Sequence, residues 1–307
     1  VYTAAFTPPT TALTNISGTG YSTVLLAQPG NNANLNLNRD IAAPEERHFA
    51  TFHFGQGGLG GVDNTIQKFS NDGLTVLGDN GNNHLRADSN FKIPSSHGKY
   101  YVEVLTFKGG LNCDVGIIAA NGAHSTTIDR PYSISTGTII IEGYGRLYEN
   151  FSSKNDHSSA PNWQAAGSTS SPTLIALCID MDNNTIHWIQ DNVQYQKYGS
   201  GPALTRDGTA VTTSGLYTYT TTNIINDHTF WKVTVGTYSD TDQAHINFGQ
   251  DPTFQGVKSP SGGTTGTVSG SYADENGVGS FFYQPPDGYL AISEFRPTRA
   301  TGLNKAA

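Results

Sequence analysis

Leu174-Ile175-Ala176-Leu177-Cys178-Ile179-Asp180-Met181-Asp182-Asn183-Asn184-Thr185-Ile186-His187-Trp188-Ile189-Gln190-Asp191-Asn192-Val193-Gln194-Tyr195 is the stretch that decides the fold class. Leu174 to Ile179 is an unbroken apolar run. Such a run suits a strand covered on both faces, although periodicity alone also fits a short buried helix. Asp180 to Asn184 interrupts it with residues whose short side chains bond to their own backbone in turns. Thr185 to Gln190 resumes as a strand, with Ile186 and Trp188 on one face and His187 and Ile189 on the other. Asp191-Asn192 makes the next turn. The unit reads as a hairpin whose first strand lies deep in a β-core.

The totals agree with an all-β chain. Charged residues are 14% of the 307, against a usual ~25%. Gly is plentiful at 35 and Met occurs once, and strong helix formers are scarce, which favours strands. The net charge of −8 argues against a surface that tracks nucleic-acid phosphates, which needs clustered Lys and Arg. No apolar run reaches the length of a membrane-spanning helix. Cys113 and Cys178 each fall inside a predicted buried strand. Two small buried thiols are the expectation, and a disulfide between them stays open at this level. The chain opens on Val1, without a basic region followed by an apolar core. A processed chain, or part of a longer polypeptide, is therefore expected.

Taken in order, residues 1–64 read as an extended arm or linker with short strands, including candidates at Tyr21 to Leu26 and the alternating Asn34 to Asn38. His48 to Phe54 is aromatic and strand-like. Gly55 to Gly61 is Gly-rich but lacks the Lys and following helix of a phosphate loop, so a surface loop is expected. From Thr65 short strands recur with turn signals between them: Leu74 to Leu77 after Asn71-Asp72-Gly73, Lys99 to Phe107, Cys113 to Ala119, Tyr132 to Ser135, Thr138 to Glu142, Arg146 to Glu149, Leu216 to Thr220, Phe230 to Tyr238 and Ala244 to Phe248. That pattern predicts a sandwich or barrel. Gly116 inside its strand permits close approach of a neighbouring segment. Ser259 to Gly279, built largely of Ser, Gly and Thr, predicts a long loop. Residues 65–295 are taken as one sandwich and 296–307 as a polar tail.

An ordered set of motifs then carries a family resemblance. Gly98-Lys99-Tyr100-Tyr101-Val102-Glu103-Val104, Asp114-Val115-Gly116-Ile117, Gly145-Arg146-Leu147-Tyr148-Glu149-Asn150, the Asp180 to Val193 hairpin and Phe248-Gly249-Gln250-Asp251-Pro252-Thr253-Phe254 together resemble the strand motifs of SPRY domains. Those domains are concanavalin-like jelly rolls used for binding. The closing Phe281-Phe282-Tyr283-Gln284-Pro285-Pro286-Asp287-Gly288-Tyr289-Leu290-Ala291 resembles the SPRY variant of bacteriophage virion proteins. The opening, Val1 to Leu26, resembles the connector after a laminin-G-like region in such proteins. The chain departs from them at Ser293-Glu294-Phe295-Arg296-Pro297, where phage versions often carry a Cys-containing ending. The resemblance implies an antiparallel β-sandwich with an N-terminal arm, in a capsid or tail component made in the host cytoplasm and located on the virion. Its expected partners are other virion proteins and further copies of itself. The alternative is a carbohydrate-binding adhesin for host-surface glycan, and behind it a glycan hydrolase.

Residue chemistry favours binding over catalysis. Asp180 and Asp182 are spaced for one strand face, ~6.5–7 Å apart, a separation compatible with an inverting carboxylate pair. Both, however, lie at a turn, where Asp serves the backbone. Glu103 stands alone on its strand. The nine His are scattered without metal-ligand spacing, and Asp79 to Asn83 lacks an acidic partner at EF-hand spacing, so no cofactor is expected. Aromatics can stack on sugars or fill interfaces. Tyr144, Tyr148, Trp163, Tyr217 and Tyr219, in or near loops, are the candidate binding residues, set against burial in the core or against a neighbouring subunit.

Overall fold

The computed structural model describes residues 48–52, 69–70, 73–78, 85–107, 113–120, 136–143, 145–153, 172–191, 194–199, 205–206, 209–210, 216–219, 225–237 and 242–294. The expected strands at 21–26, 34–38 and 132–135, the Gly-rich loop 55–61 and the polar turn 79–83 lie outside the described residues, as does nearly all of the arm and tail. Residues Phe49–Ser293 form one compact unit.

In chain order the strands are β1 (His48–Phe49), β2 (Phe69–Ser70), β3 (Thr75–Leu77), β4 (Leu85–Asp88), β5 (Ile93–Pro94), β6 (Lys99–Phe107), β7 (Asp114–Ala119), β8 (Thr138–Ile141), β9 (Leu147–Glu149) and β10 (Ser152–Ser153). They continue as β11 (Thr173–Asp180), β12 (Thr185–Gln190), β13 (Gln194–Tyr198), β14 (Thr205–Arg206), β15 (Thr209–Ala210), β16 (Leu216–Tyr219), β17 (Phe230–Thr237), β18 (Gln243–Asn247), β19 (Leu290–Ala291) and β20 (Ser293–Glu294). A short 3-10 turn at Ile225–Asp227 precedes β17.

Two sheets carry the architecture. One runs β10-β9-β8-β7-β17-β4, with β5 also on β17; the other runs β16-β13-β12-β11-β6-β18-β3-β2, with β19 also on β6. Within them, β13–β16 and β6–β19 are parallel and the other ladders are antiparallel. The expected all-β, predominantly antiparallel sandwich is what the chain forms.

Alternation explains why the sheets face each other. Val102 and Val104 of β6, Leu177 and Ile179 of β11, and Ile186 and Trp188 of β12 share one cluster with Val115 and Ile117 of β7 and Val233 and Val235 of β17. Period-2 side chains from both sheets thus meet in one dry layer. Trp188 fixes the two sheets to each other: its ring is fully buried and its Nε1 donates to the Val115 carbonyl, 2.9 Å away in the opposite sheet. The expected central hairpin forms, with Cys178 opposite His187 and Ile179 opposite Ile186. His187 and Ile189 on its second face are buried as well. The core reaches upstream of position 65 as well, because Ala50 and Phe52 lie in the main cluster. Gln250 Nε2 donates to the Ala50 carbonyl.

The turn acids do structural work. Asp180 Oδ1 accepts from the Asn183 backbone N–H at 2.9 Å, and Oδ2 from Asn183 Nδ2 at 2.9 Å. Lys99 Nζ lies 3.4 Å from the same Oδ2. Asp182 Oδ1 accepts from the Gly98 N–H at 2.9 Å. These bonds close the β11–β12 turn onto the entry to β6, which is the Asp role such turns favour.

Residues 249–291 form a strap over the outer face of β6 and β11, while Phe248 and Ile292 at its two ends lie in the core between the sheets. Most of it lacks regular strands, yet it is densely bonded. Asp274 Oδ1 accepts from the N–H groups of Asn276 and Val278, and its Oδ2 from that of Ala291. Ser280 Oγ accepts from the N–H groups of Thr267 and Val268. The Ser/Gly/Thr stretch 259–279 is therefore a compact loop held by internal polar hubs.

His187 gives the fold a pH dependence. Burial, helped by the nearby Lys197 charge and opposed by Asp180, lowers its pKa to about 3. The unfolded chain then binds more protons than the folded chain between about pH 6.5 and 3. Stability is expected to fall as pH drops through that window, by at most about 1.4 kcal/mol per pH unit from this group. Denaturant unfolding at several pH values checks this, and His187→Gln, which does not titrate, should flatten the slope.

Candidate functional site

One end of the sandwich gathers the exposed aromatics. β9 and β10 are joined by two residues, Asn150 and Phe151, both at positive φ, 50° and 66°. Positive φ at both central positions is the geometry of a tight hairpin turn whose second position normally holds Gly. Here that position holds a phenylalanine that is 57% exposed. The turn is tied to β8: Asn150 N–H donates to the Thr138 carbonyl at 3.1 Å, and the Thr138 N–H donates to Asn150 Oδ1 at 3.2 Å.

The same end continues across the sheet. Ala119 N–H donates to the Gly137 carbonyl, and Ala120 N–H to that of Phe230. Phe230 opens β17 and is 37% exposed. Trp231 points inward, so alternation puts Phe230 on the opposite face with Lys232 and Thr234, which are buried there while Phe230 is not. Lys92 Nζ lies 5.8 Å from the centre of the Phe230 ring, within cation–π range. Beneath it, Trp231 Nε1 donates to the Ile225 carbonyl at 2.8 Å, and His228 packs edge-on to Trp231 with centroids 5.2 Å apart. The backbones bearing Phe151 and Phe230 are three strand spacings apart, roughly 14 Å. The β11–β12 turn closes the rim on the other sheet, since Met181 N–H donates to the Gly98 carbonyl. The result is a firmly anchored rim that presents the Phe151 and Phe230 rings and the Lys92 ammonium.

The candidate binding residues fall unevenly around it. Tyr148 sits on β9, three residues before Phe151, but is buried, with its hydroxyl accepting from Arg146 Nη1 at 3.0 Å. Tyr217 and Tyr219 lie on β16 opposite Gln196 and Tyr198; Tyr198 follows Ile186 in register, which places Tyr219 toward the rim end. Tyr144 and Trp163 lie outside the described residues. Sequence reasoning missed Phe151 and Phe230. Phe151 falls just past the predicted strand Arg146 to Glu149, and its signal is an aromatic directly after Asn at a two-residue turn. Phe230 opens the predicted strand Phe230 to Tyr238, where strict alternation from Trp231, Val233 and Val235 puts it on the opposite face.

No acid pair faces across a cleft at the positions weighed for hydrolysis, because Asp180 and Asp182 are turned into the hairpin as described. Glu103 is fully buried. Its Oε1 accepts from the Tyr101 hydroxyl at 3.1 Å and the Tyr283 N–H at 2.8 Å. Its Oε2 accepts from Asn247 Nδ2 at 3.0 Å and the Phe282 N–H at 2.9 Å. Among the described residues no group of three or more His, Cys, Asp or Glu is placed to hold a metal ion. Cys113 and Cys178 are both buried thiols, not joined in a disulfide.

No known family profile matches the chain, and no curated protein matches it. Solved structures similar to it include the SPRY domain of human HERC1, at 15% identity over 57% of this chain and 89% of that one, with a TM-score of 0.37. The TRIM65 PSpry domain is similar at 8% identity over 64% of this chain and 88% of that one, also with a TM-score of 0.37. The sandwich assignment rests on the two sheets and their shared core.

Proposed function

We propose that the chain is a structural component of a phage virion, a capsid subunit or tail appendage, whose sandwich binds other copies of itself and other virion proteins through the rim that bears Phe151 and Phe230. The carrying observation is Phe151. A non-glycine residue in the left-handed region costs about 1–2 kcal/mol, and an exposed phenylalanine returns nothing to an isolated chain. Both costs make sense if the ring is buried on assembly, where aromatics act as anchors. The ordered phage-type motifs of the sequence support the same reading, and closed symmetric association is the usual arrangement for such components.

Light scattering of the full chain tests it. The native chain is expected at a multiple of 32.8 kDa. The double variant Phe151→Ser, Phe230→Ser should dissociate to the single-chain mass with its unfolding midpoint nearly unchanged, since surface substitutions usually cost under about 0.5 kcal/mol. A native chain that stays at single-chain mass at every concentration overturns self-assembly through the rim. The adhesin reading would then lead, because an exposed ring flanked by Asn150 and the exposed Ser152 and Ser153 also suits a sugar face, and glycan-array binding would be the readout.

A further inference from the structure

Asn276 is the one asparagine among the described residues that a glycine follows. Asn276 and Gly277 stand at the tip of a turn in the strap, and both are exposed. The Gly277 N–H donates to the Asp274 carbonyl at 2.9 Å and closes that turn. Nothing lies within 4 Å of the place a Cβ would take on Gly277, whose φ is +72°. The Asn276 backbone N–H donates to Asp274 Oδ1 at 3.0 Å, while its side-chain amide has no partner among the described residues.

An asparagine in this setting carries its own reaction. Its amide carbon and the next backbone nitrogen are placed to close a five-membered ring, and a following glycine offers no Cβ to block the approach. Asparagine is thermolabile for this reason. Here the approach is restrained. The Gly277 nitrogen must first give up the Asp274 carbonyl, and Asp274 fixes the main chain on both sides. Its Oδ1 takes the N–H groups of Asn276 and Val278, and its Oδ2 takes that of Ala291.

We propose that Asn276 is a self-modification site, which deamidates in the folded chain at a rate set by the Asp274 turn. The Gly277 nitrogen bonds to Asn276 Cγ, the Cγ–Nδ2 bond breaks, and Nδ2 leaves as ammonia with the Gly277 proton. Water then opens the succinimide to aspartate or isoaspartate. Neither product is neutral for the strap. Each adds a carboxylate beside Glu275 and two residues from Asp274, where like charges repel. The isoaspartyl form also lengthens the main chain by one methylene inside the turn. The bonds from Asp274 to Val278 and Ala291 are therefore weakened by the reaction that Asp274 delays.

Peptide mapping of the full-length chain, incubated folded in mildly alkaline buffer, is the test. Asn80 and Asn121 also precede glycine, so the conversion is assigned by peptide and not by whole mass. A synthetic peptide of residues 270–282 gives the unrestrained rate. The folded chain should convert Asn276 about tenfold more slowly than the peptide, because charge-supported hydrogen bonds must be given up first. Asp274→Asn should bring the folded rate to within about twofold of the peptide. Gly277→Ala, which meets open space and leaves Asp274 in place, should slow conversion at least about tenfold. Isoaspartate-specific methylation of the aged chain should be absent from the Asn276 peptide of Asn276→Gln. A folded rate equal to the peptide's, or no acceleration in a folded Asp274→Asn chain, overturns control by the turn. A folded rate about a thousandfold or more below the peptide's overturns the site itself. Should Asp274→Asn fail to fold, the ratio of chain to peptide and the Gly277→Ala rate decide.

Discussion

Trp188→Ala is expected to destabilise the chain by about 4 kcal/mol in denaturant unfolding. Removing a fully buried indole leaves a cavity between the sheets, and aromatic-to-alanine changes in cores cost roughly 3–5 kcal/mol. Trp188 also spans the sandwich, so its loss strips the Val115 carbonyl of the Nε1 donor at 2.9 Å. Trp188→Phe separates the two contributions. It keeps most of the ring and loses the donor, so about 1–2 kcal/mol is expected. If Trp188→Ala costs under about 1 kcal/mol, the two sheets are not joined through this ring.

Gly116→Ala is expected to cost about 3 kcal/mol, although it adds a single methyl group. A Cβ at Gly116 would lie 2.1 Å from the Ile139 carbonyl oxygen and 2.8 Å from the Ile140 Cα. Both are backbone atoms of β8, the neighbouring strand, so relief requires moving the sheet, which is the overpacking penalty at its stiffest. Gly256→Ala is the control. Nothing lies within 4 Å of its Cβ position, and only its φ of +80° opposes substitution, so about 1 kcal/mol is expected. Equal costs at the two sites would contradict the packing described for β7 against β8.

These two residues also show what the sequence makes legible. Trp188 could be placed on the core face by counting from Ile186, and Gly116 could be read as a close approach, because each depends on local alternation. Lys99 to Phe107 was legible for the same reason: nine residues of clear period leave little freedom. The hidden features depend on partners far along the chain. Glu103 reads as an isolated acid, since the N–H groups that fill it belong to Phe282 and Tyr283, 179 and 180 residues away. Ala50 and Phe52 read as part of an arm because their core neighbours, among them Phe248, 5.9 Å from Phe52 between ring centroids, come from the other end of the chain. The Ser/Gly/Thr stretch reads as a long loop because composition does not reveal which side-chain oxygen meets which N–H.

The rim was half legible. Alternation in β17 places Phe230 outside, but the meeting of Phe230 with the Asn150-Phe151 turn follows from strand order. β9, β8, β7 and β17 are sheet neighbours in an order that separates residues 151 and 230 widely in sequence. The third large exposed hydrophobic among the described residues, Val257 at 43%, sits elsewhere: its N–H donates to the Phe254 carbonyl, and Phe254 packs on Phe107 and Leu174, at the opposite end of β6 and β11 from Lys99 and Asp180.

That separation supplies the most direct test of the central claim, that the rim is where this protein meets its partners. A photoreactive phenylalanine analogue is placed at position 151 in one full-length sample and at position 257 in another, and each is irradiated at assembling concentration. The account predicts a covalent adduct of twice the chain mass from position 151, mapping to the partner's surface, and little from position 257. No adduct from position 151, or equal adducts from both positions, would contradict it.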